Sequence, residues 1–358
     1  MGPSRVDDAH APALVSETAL DLSRKAAELF AARGIEQPRL DAELLLAHTL
    51  GVSRLQLYLQ HDRPVSDDEL VRFRAGVRRR LKREPVQYIV GTAHFRELEL
   101  AVDARVLIPR PETEELVGHV LEWAWARVGG RPEKRGAVHL AWESGGASEP
   151  ETGRAGATVL RDSGAAPDDG TPPPGARTLT ALDLGTGSGA IALSLLREGP
   201  FARVLATDAS AEALAVARAN AERLGLSERV EFRLGALWEA VAPDERFDVV
   251  ASNPPYVADS ERAGLAPELE WEPAGALLAG AAGFDVLQPL AAGAPAHLQP
   301  GGLLALEIGA AQGEGMRQRL TACAFADVRV LRDLAGRDRV VLASSNSLAP
   351  ERKRGEHA

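Results

Sequence analysis

Asn253-Pro254-Pro255-Tyr256 is the stretch of this chain whose residue types could most directly do chemistry. It follows a strand-like run, Phe247-Asp248-Val249-Val250-Ala251-Ser252. A turn of this composition suits the capture of a planar –NH2 group. The Asn253 amide oxygen and a prolyl carbonyl offer two acceptors for its two N–H protons. Both prolines lack an N–H and fix φ, so the turn is stiff and its carbonyls are free to aim outward. The Tyr256 ring supplies a flat face for stacking. Taken alone, the tetrapeptide is equally compatible with an ordinary Pro-rich turn after a buried strand.

Upstream, Asp183-Leu184-Gly185-Thr186-Gly187-Ser188-Gly189 follows an apolar run from Leu179 and precedes Ala190-Ile191-Ala192-Leu193-Ser194-Leu195-Leu196. Strand, Gly-rich turn and helix in that order are what a nucleotide-type cradle needs. Glycines let the backbone approach a ligand where a side chain would block it. No Lys-Ser or Lys-Thr follows the last glycine, which argues against a phosphate-binding P-loop. The alternating glycines also differ from the Gly-x-Gly-x-x-Gly of nicotinamide-binding proteins. Asp208 ends the next strand-like run, Val204 to Thr207, about 20 residues on, where an acid commonly accepts both hydroxyls of a ribose. Its alternative role is to cap the helix that follows.

Together these features resemble the S-adenosylmethionine-dependent methyltransferases with a seven-stranded sheet. The Asn-Pro-Pro-Tyr turn narrows the resemblance to the amino-methylating branch. Pro85-Val86-Gln87-Tyr88-Ile89-Val90-Gly91, Val106-Leu107-Ile108-Pro109-Arg110-Pro111-Glu112-Thr113-Glu114, Glu272-Pro273-Ala274-Gly275-Ala276-Leu277 and Asp338-Arg339-Val340 look like signatures of the peptide chain release factor glutamine methyltransferases. The resemblance runs from about Ser16 to Ser344, apart from one insertion.

That resemblance implies an α/β fold, a seven-stranded mostly parallel sheet whose last strand is antiparallel, with a small N-terminal helical domain for substrate docking. It implies S-adenosylmethionine as methyl donor and peptide chain release factors as protein substrates, the acceptor being the glutamine of a Gly-Gly-Gln loop. The donor would lie against Gly185, Thr186, Gly187, Ser188, Gly189 and Asp208, with Asn253 beside it. Loop N–H groups would serve its methionine end and Asp208 its ribose. Asn253, Pro254, Pro255 and Tyr256 would hold the substrate amide, with Asn253, Pro254 and Tyr256 as the catalytic set. Arg110 and Glu112, in a stiff Pro-rich loop, and Asp183 would stand nearby. Ala236 occupies a place where the family usually carries an acid, which leaves Leu237 and Trp238 as an apolar wall for the purine. Arg96-Glu97 and Ala282 also depart from the family pattern.

Such a site has a chemical rationale. A carboxamide nitrogen is a poor nucleophile because its lone pair is delocalised into the carbonyl. Two acceptors on its N–H protons shift density back to nitrogen and orient it, which is catalysis by positioning and electrostatics. No metal is expected, since no His/Cys/carboxylate cluster has ligand spacing. Two other functions are compatible with the same residues: a DNA adenine amino-methyltransferase, which must flip its base, and a non-catalytic S-adenosylmethionine-binding module.

Composition bears on these choices. A net charge of −10 and a pI near 5.4 argue against general nucleic-acid binding, so no sequence-specific nucleic-acid partner is expected. One cysteine, Cys323, excludes an internal disulfide and suits a reducing compartment. No apolar run approaches the length of a membrane span and no apolar leader is visible, so the expected location is the cytoplasm.

With 358 residues, about two domains are expected. Residues 1–13 read as a disordered N-terminus and 14–84 as a helical docking domain. In the latter, Ala19, Leu22, Ala26, Leu29 and Phe30 recur at helix spacing before Gly34, and a second helix spans Asp41 to Leu50. A third helix starts at the capping box Ser66-Asp67-Asp68-Glu69. It carries Arg72, Arg74, Arg78, Arg79, Arg80, Lys82 and Arg83, which form either a solvated face or an electrostatic contact for a partner. Residues 85–105 are a linker with a β-hairpin from about Phe95, and 106–344 the methyltransferase domain, whose first helix should start near Thr113. Within it, 129–177 holds 16 Gly or Pro among 49 residues, too few apolar groups to offset ordering, and reads as a disordered insertion. Residues 345–358 read as a polar tail. Strand signals near 179–184, 204–208, 230–234, 247–252, 302–308, 328–331 and 339–343 alternate with helical stretches for most of that length, which implies a mostly parallel sheet covered by helices.

Overall fold

The structure, a computed structural model, describes residues 18–60, 62–131 and 177–346. The expected disordered N-terminus (1–13) lies outside those residues, as do the expected insertion (129–177) apart from 129–131 and 177 and the expected tail (345–358) apart from 345 and 346. The chain divides into two units. One comprises residues up to Phe95, Glu99–Pro109 and Pro255–Asp285, and the other Arg96–Leu98, Arg110–Pro254 and the residues from Val286. Among the described residues, no helix is long and apolar enough to cross a membrane.

Helices open the first unit. In α1 (Ala19–Ala32), Thr18 caps the start and Ala19, Leu22, Ala26 and Phe30 face the core. The second helix, α2 (Pro38–Leu50), begins three residues before the expected Asp41, because Pro38 sits in the first turn where its missing N–H costs nothing. Gly51 ends it in the left-handed conformation. A short α3 (Arg54–Leu59) was not anticipated, although the Ser53/Gln56 capping box that starts it can be read in the sequence. The predicted box at Ser66 and Glu69 starts α4 (Asp67–Leu81), and α5 (Val86–Val90) follows.

The basic helix α4 does not present one charged face. Arg80 is buried, its Nε donating to Asp41 Oδ2 at 2.6 Å and an Nη to Glu268 Oε1 at 2.8 Å. Arg83 donates to the other oxygen of Glu268 at 2.7 Å, and Arg79 to Glu84 at 2.8 Å. These three arginines are therefore committed within the fold. Glu268 belongs to the 255–285 segment, which falls in the same unit as these helices, whereas the sequence places it within 106–344. Beside it, Glu272 accepts from the Ile108 N–H at 3.1 Å.

The hairpin forms earlier than expected. Strand β1 (Thr92–Phe95) pairs with β2 (Leu98–Ala101), so Phe95 ends the first strand. Ala93 and Phe95 are buried with His94 exposed between them, the same alternation that buries Leu98, Leu100 and Val102. Arg96, in the turn with φ 52°, grips Glu198 with Nε and Nη at 2.8 and 2.7 Å and the Glu114 carbonyl at 2.9 Å. A cation at this departure from the family pattern is thus fully used.

In the second unit, helix α6 (Pro111–Arg127) starts at Pro111, two residues before the expected Thr113, for the same reason as α2. Then come β3 (Leu179–Leu184), α7 (Ala190–Glu198), β4 (Phe201–Asp208), α8 (Ala211–Leu224), β5 (Val230–Leu234) and β6 (Phe247–Ser252). Helix α9 (Leu287–His297), β7 (Leu298–Glu307), α10 (Gly313–Ala322), β8 (Ala326–Arg332) and β9 (Asp338–Ser344) complete it. Seven strands form one sheet in the order β5-β4-β3-β6-β7-β9-β8. All neighbours are parallel except β9, which runs antiparallel to both β7 and β8. Central strands read as near-continuous apolar runs because helices pack on the sheet. The order reverses at β3, between β4 and β6, and at such a point the carboxyl ends of the strands open a crevice.

Asp183 braces that point. It is fully buried near the end of β3, and its Oδ2 accepts from Thr186 Oγ1 at 2.7 Å and from the Ala192 N–H of α7 at 3.1 Å. Burial pushes its carboxyl up from the ordinary 3.8 to about 7, against those two bonds and with some help from the Asp208 charge. Between these values the folded chain holds a proton that the unfolded chain has lost, so raising pH through the window favours unfolding. We expect the unfolding midpoint of Asp183→Asn to fall less steeply than that of the parent from pH ~4 to ~7, with a constant difference above that. Thermal melts across this range check it, and parallel curves would contradict it.

Candidate active site

The Gly-rich turn joins β3 to α7 through three left-handed glycines, with φ of 74° at Gly185, 56° at Gly187 and 88° at Gly189. Their reasons differ. A Cβ on Gly189 would approach Leu193 Cδ1 to 2.9 Å, so this glycine permits packing of the helix start. A Cβ on Gly185 or Gly187 would meet nothing within 4 Å, so these two border open space. The amides of the turn are largely spent on its own closure. Gly185 N and Thr186 N both donate to the Thr207 carbonyl at 2.9 Å, Gly189 N donates to the Thr186 carbonyl at 2.8 Å, and Gly187 N donates to Asp208 Oδ2 at 2.9 Å. This corrects the expectation that these N–H groups point out to a ligand: the turn uses them to clip itself to the end of β4.

Thr186 and Ser188 are buried, and the Thr186 hydroxyl serves Asp183. The Ser188 carbonyl accepts from Nδ2 of Asn220 at 2.9 Å. Asn220, a fully buried amide on α8, was missed by sequence reasoning, and its one visible signal is a polar residue on the inward face of a helix.

Asp208 closes β4 with both oxygens engaged. Oδ2 takes the Gly187 N–H, and Oδ1 takes the Ser210 N–H at 2.8 Å. The capping of α8 falls to Ser210, whose hydroxyl accepts from Ala213 N at 3.1 Å, so Asp208 is not the helix cap. Each carboxylate oxygen has a second lone pair, which leaves capacity for a ligand's hydroxyls.

After β5, Leu237 (φ 49°) begins a 3₁₀ turn over Leu237–Ala240. The Trp238 indole stacks on His297 of α9, with ring centroids 4.9 Å apart, and donates to the Pro289 carbonyl at 3.1 Å. Its N–H and one face are committed to α9.

At the end of β6, the Ser252 hydroxyl donates to the Leu184 carbonyl at 2.6 Å, a buried link that ties this strand to β3 just before both turns. Asn253 then donates from Nδ2 to Thr113 Oγ1 at 2.9 Å, and Thr113 donates to Glu307 Oε2 at 2.6 Å. Arg110 occupies the cap position of α6 and Glu112 its first turn, one residue before Thr113. Pro254 is buried. Pro255 and Tyr256 belong to the other unit, where Val257 N donates to the Leu277 carbonyl at 2.9 Å. Sequence reasoning missed Thr113 and Glu307. An acid closing the apolar strand Leu303–Leu306 was their best signal, the same pattern that marked Asp208.

The arrangement sets a glycine-bordered space and an amide-bearing turn at the ends of adjacent parallel strands. That suits group transfer onto an amino-type nitrogen, with bonding and orientation supplied by backbone and amide groups.

Residues 21–91 match the PrmC N-terminal domain model, and residues 174–272 match the methyltransferase small domain model. A release factor glutamine methyltransferase of Chlorobaculum tepidum is 40% identical over 324 residues, 89% of this chain and 95% of its own. One of Cereibacter sphaeroides is 40% identical over 326 residues, 91% of this chain and 98% of its own. Among solved structures, the hMettl16 catalytic domain in complex with MAT2A 3'UTR hairpin 6 is 12% identical over 80% of this chain and 84% of that one, at a TM-score of 0.47, too distant to bear on function. With two matching domain models in the expected order and such identity over nearly the whole length, the chain belongs to the release factor glutamine methyltransferase family.

Proposed function

We propose that this enzyme moves a methyl group from S-adenosylmethionine to the side-chain amide nitrogen of the glutamine in the Gly-Gly-Gln loop of peptide chain release factors. The observation that carries this reading is the placement of the Asn253 turn and the Gly185–Gly189 turn at the carboxyl ends of β6 and β3, paired neighbours in one sheet. Membership of the family supports the choice of protein substrate.

The residues present fit the donor. Gly185 and Gly187 border space that any Cβ would enter, and Asp208 keeps lone pairs at the end of β4, where a ribose would be met. The donor supplies an electrophilic methyl on a sulfonium. Everything else falls to the protein. Asn253 Oδ1 and the Pro254 carbonyl accept the two amide protons, which raises electron density on nitrogen and fixes its direction. Pro254 and Pro255 hold the turn stiff, so little ordering remains to be done on binding.

Two outcomes check this reading. Asp208→Ala should weaken donor binding by about 1–3 kcal/mol, the scale for leaving hydrogen-bonding groups unpaired. Calorimetric titration measures it, and unchanged affinity would remove Asp208 from the donor site. Asn253→Ala should lower turnover of release factor by roughly a hundredfold or more while leaving donor affinity close to that of the parent, as for loss of one preorganised hydrogen-bonding group. An equal loss in both quantities would point to a collapsed site instead of a lost acceptor.

A further inference from the structure

An asparagine amide has an oxygen and a nitrogen of nearly the same shape, and only one of them can accept a proton from a substrate –NH2. A rotation of 180° about the last side-chain bond would present the wrong atom. Something must set which way the amide faces.

We propose that Thr113 and Glu307 are positioning residues that hold the Asn253 amide with its oxygen toward the substrate. The inference rests on the reading of Asn253 as an acceptor given above, and it follows from counting protons along the three side chains. Glu307 is 1% exposed and Thr113 3% exposed, so neither exchanges its partner for bulk water. Thr113 lies in the first turn of α6. The single hydroxyl proton of Thr113 goes to Glu307 Oε2, at 2.6 Å. Thr113 Oγ1 then has only lone pairs to offer Asn253, at 2.9 Å, and the group that can meet them is Nδ2. The reversed amide would set two acceptors against each other in a part-buried place and leave the Thr113 oxygen without its donor. With Nδ2 committed, Oδ1 is the atom the amide has left to offer.

Chain geometry explains why these three residues meet. Ser252 of β6 stands opposite Leu306 of β7, so the next residues, Asn253 and Glu307, leave the two strands side by side. Thr113 enters from α6, whose early start at Pro111 makes it the third helical residue. Glu307 touches neither substrate nor donor in this account. Its role is exercised through Thr113.

The test compares Thr113→Val, Thr113→Ala, Thr113→Ser, Asn253→Ala and the Asn253→Ala/Thr113→Val double variant in the full chain. Steady-state methylation of purified release factor gives kcat and KM, calorimetry gives donor affinity, and thermal melts report folding. We expect Thr113→Val to lower kcat by about tenfold or more, while KM and donor affinity move by less than about twofold. Thr113→Ser, which keeps the hydroxyl, should recover most of that loss. The double variant should be no slower than Asn253→Ala alone, because the threonine acts only through the asparagine. If valine disturbs folding, alanine and serine carry the same comparison. Parent-like kcat in both Thr113→Val and Thr113→Ala, or losses that multiply in the double variant, would overturn the positioning role while leaving the acceptor role of Asn253 standing. Parent-like turnover of Asn253→Ala would instead overturn the acceptor role itself, and this inference with it.

Discussion

The parallel pairing of β3 with β6 is the constraint on which the site depends. Ala181, Leu182 and Asp183 lie against Val249, Val250 and Ala251, all buried, so the register is held by apolar side chains on both faces of the sheet. Where the two strands end, their backbones must leave the sheet together. The Ser252 hydroxyl on the Leu184 carbonyl ties that exit. One strand continues into the glycine turn and the other into the asparagine turn. A slip of one residue would carry each side chain to the opposite face and separate the two turns.

Three acids near this crevice each hold a neighbouring turn by hydrogen bonds. Asp183 takes up Thr186 and the start of α7, which stiffens the glycine turn from beneath. Asp208 takes up the Gly187 and Ser210 amides and so fixes the end of β4. Glu307 takes up Thr113, which in turn engages Asn253. Three acids at or near the ends of three parallel strands thus act as fixtures for neighbouring turns. In a setting of low dielectric, hydrogen bonds from carboxyl groups of this kind rigidify the turns that they hold. Rigidity here has a chemical use, since an amide nitrogen must be aimed within narrow limits before it can act as a nucleophile.

Much of this was legible in the sequence because the signals were local. Apolar runs of strand length, each closed by glycine, acid or proline, marked the sheet, and Ser66 with Glu69 marked α4. The Asn253 turn and the glycine turn were visible as motifs. What escaped depended on partners distant in the chain. Glu307 meets Thr113 across 194 residues, and neither has meaning alone. Arg80 and Arg83 looked like part of a basic face until Glu268, 188 and 185 residues away, gave them a half-buried partner. Trp238 carries no sequence sign of its pairing with His297 and Pro289 of α9. Helix starts at Pro38 and Pro111 were misjudged for a simpler reason: proline breaks a helix from within but is well suited to its first turn.

The central claim is that this site methylates one side-chain amide in a release factor. The most direct measurement is to incubate the enzyme with S-adenosylmethionine and purified release factor and map the modified peptide by mass spectrometry. A single added methyl on the side-chain nitrogen of the glutamine in the Gly-Gly-Gln loop is expected. A methyl on another residue, or none from enzyme that binds its donor, would contradict it.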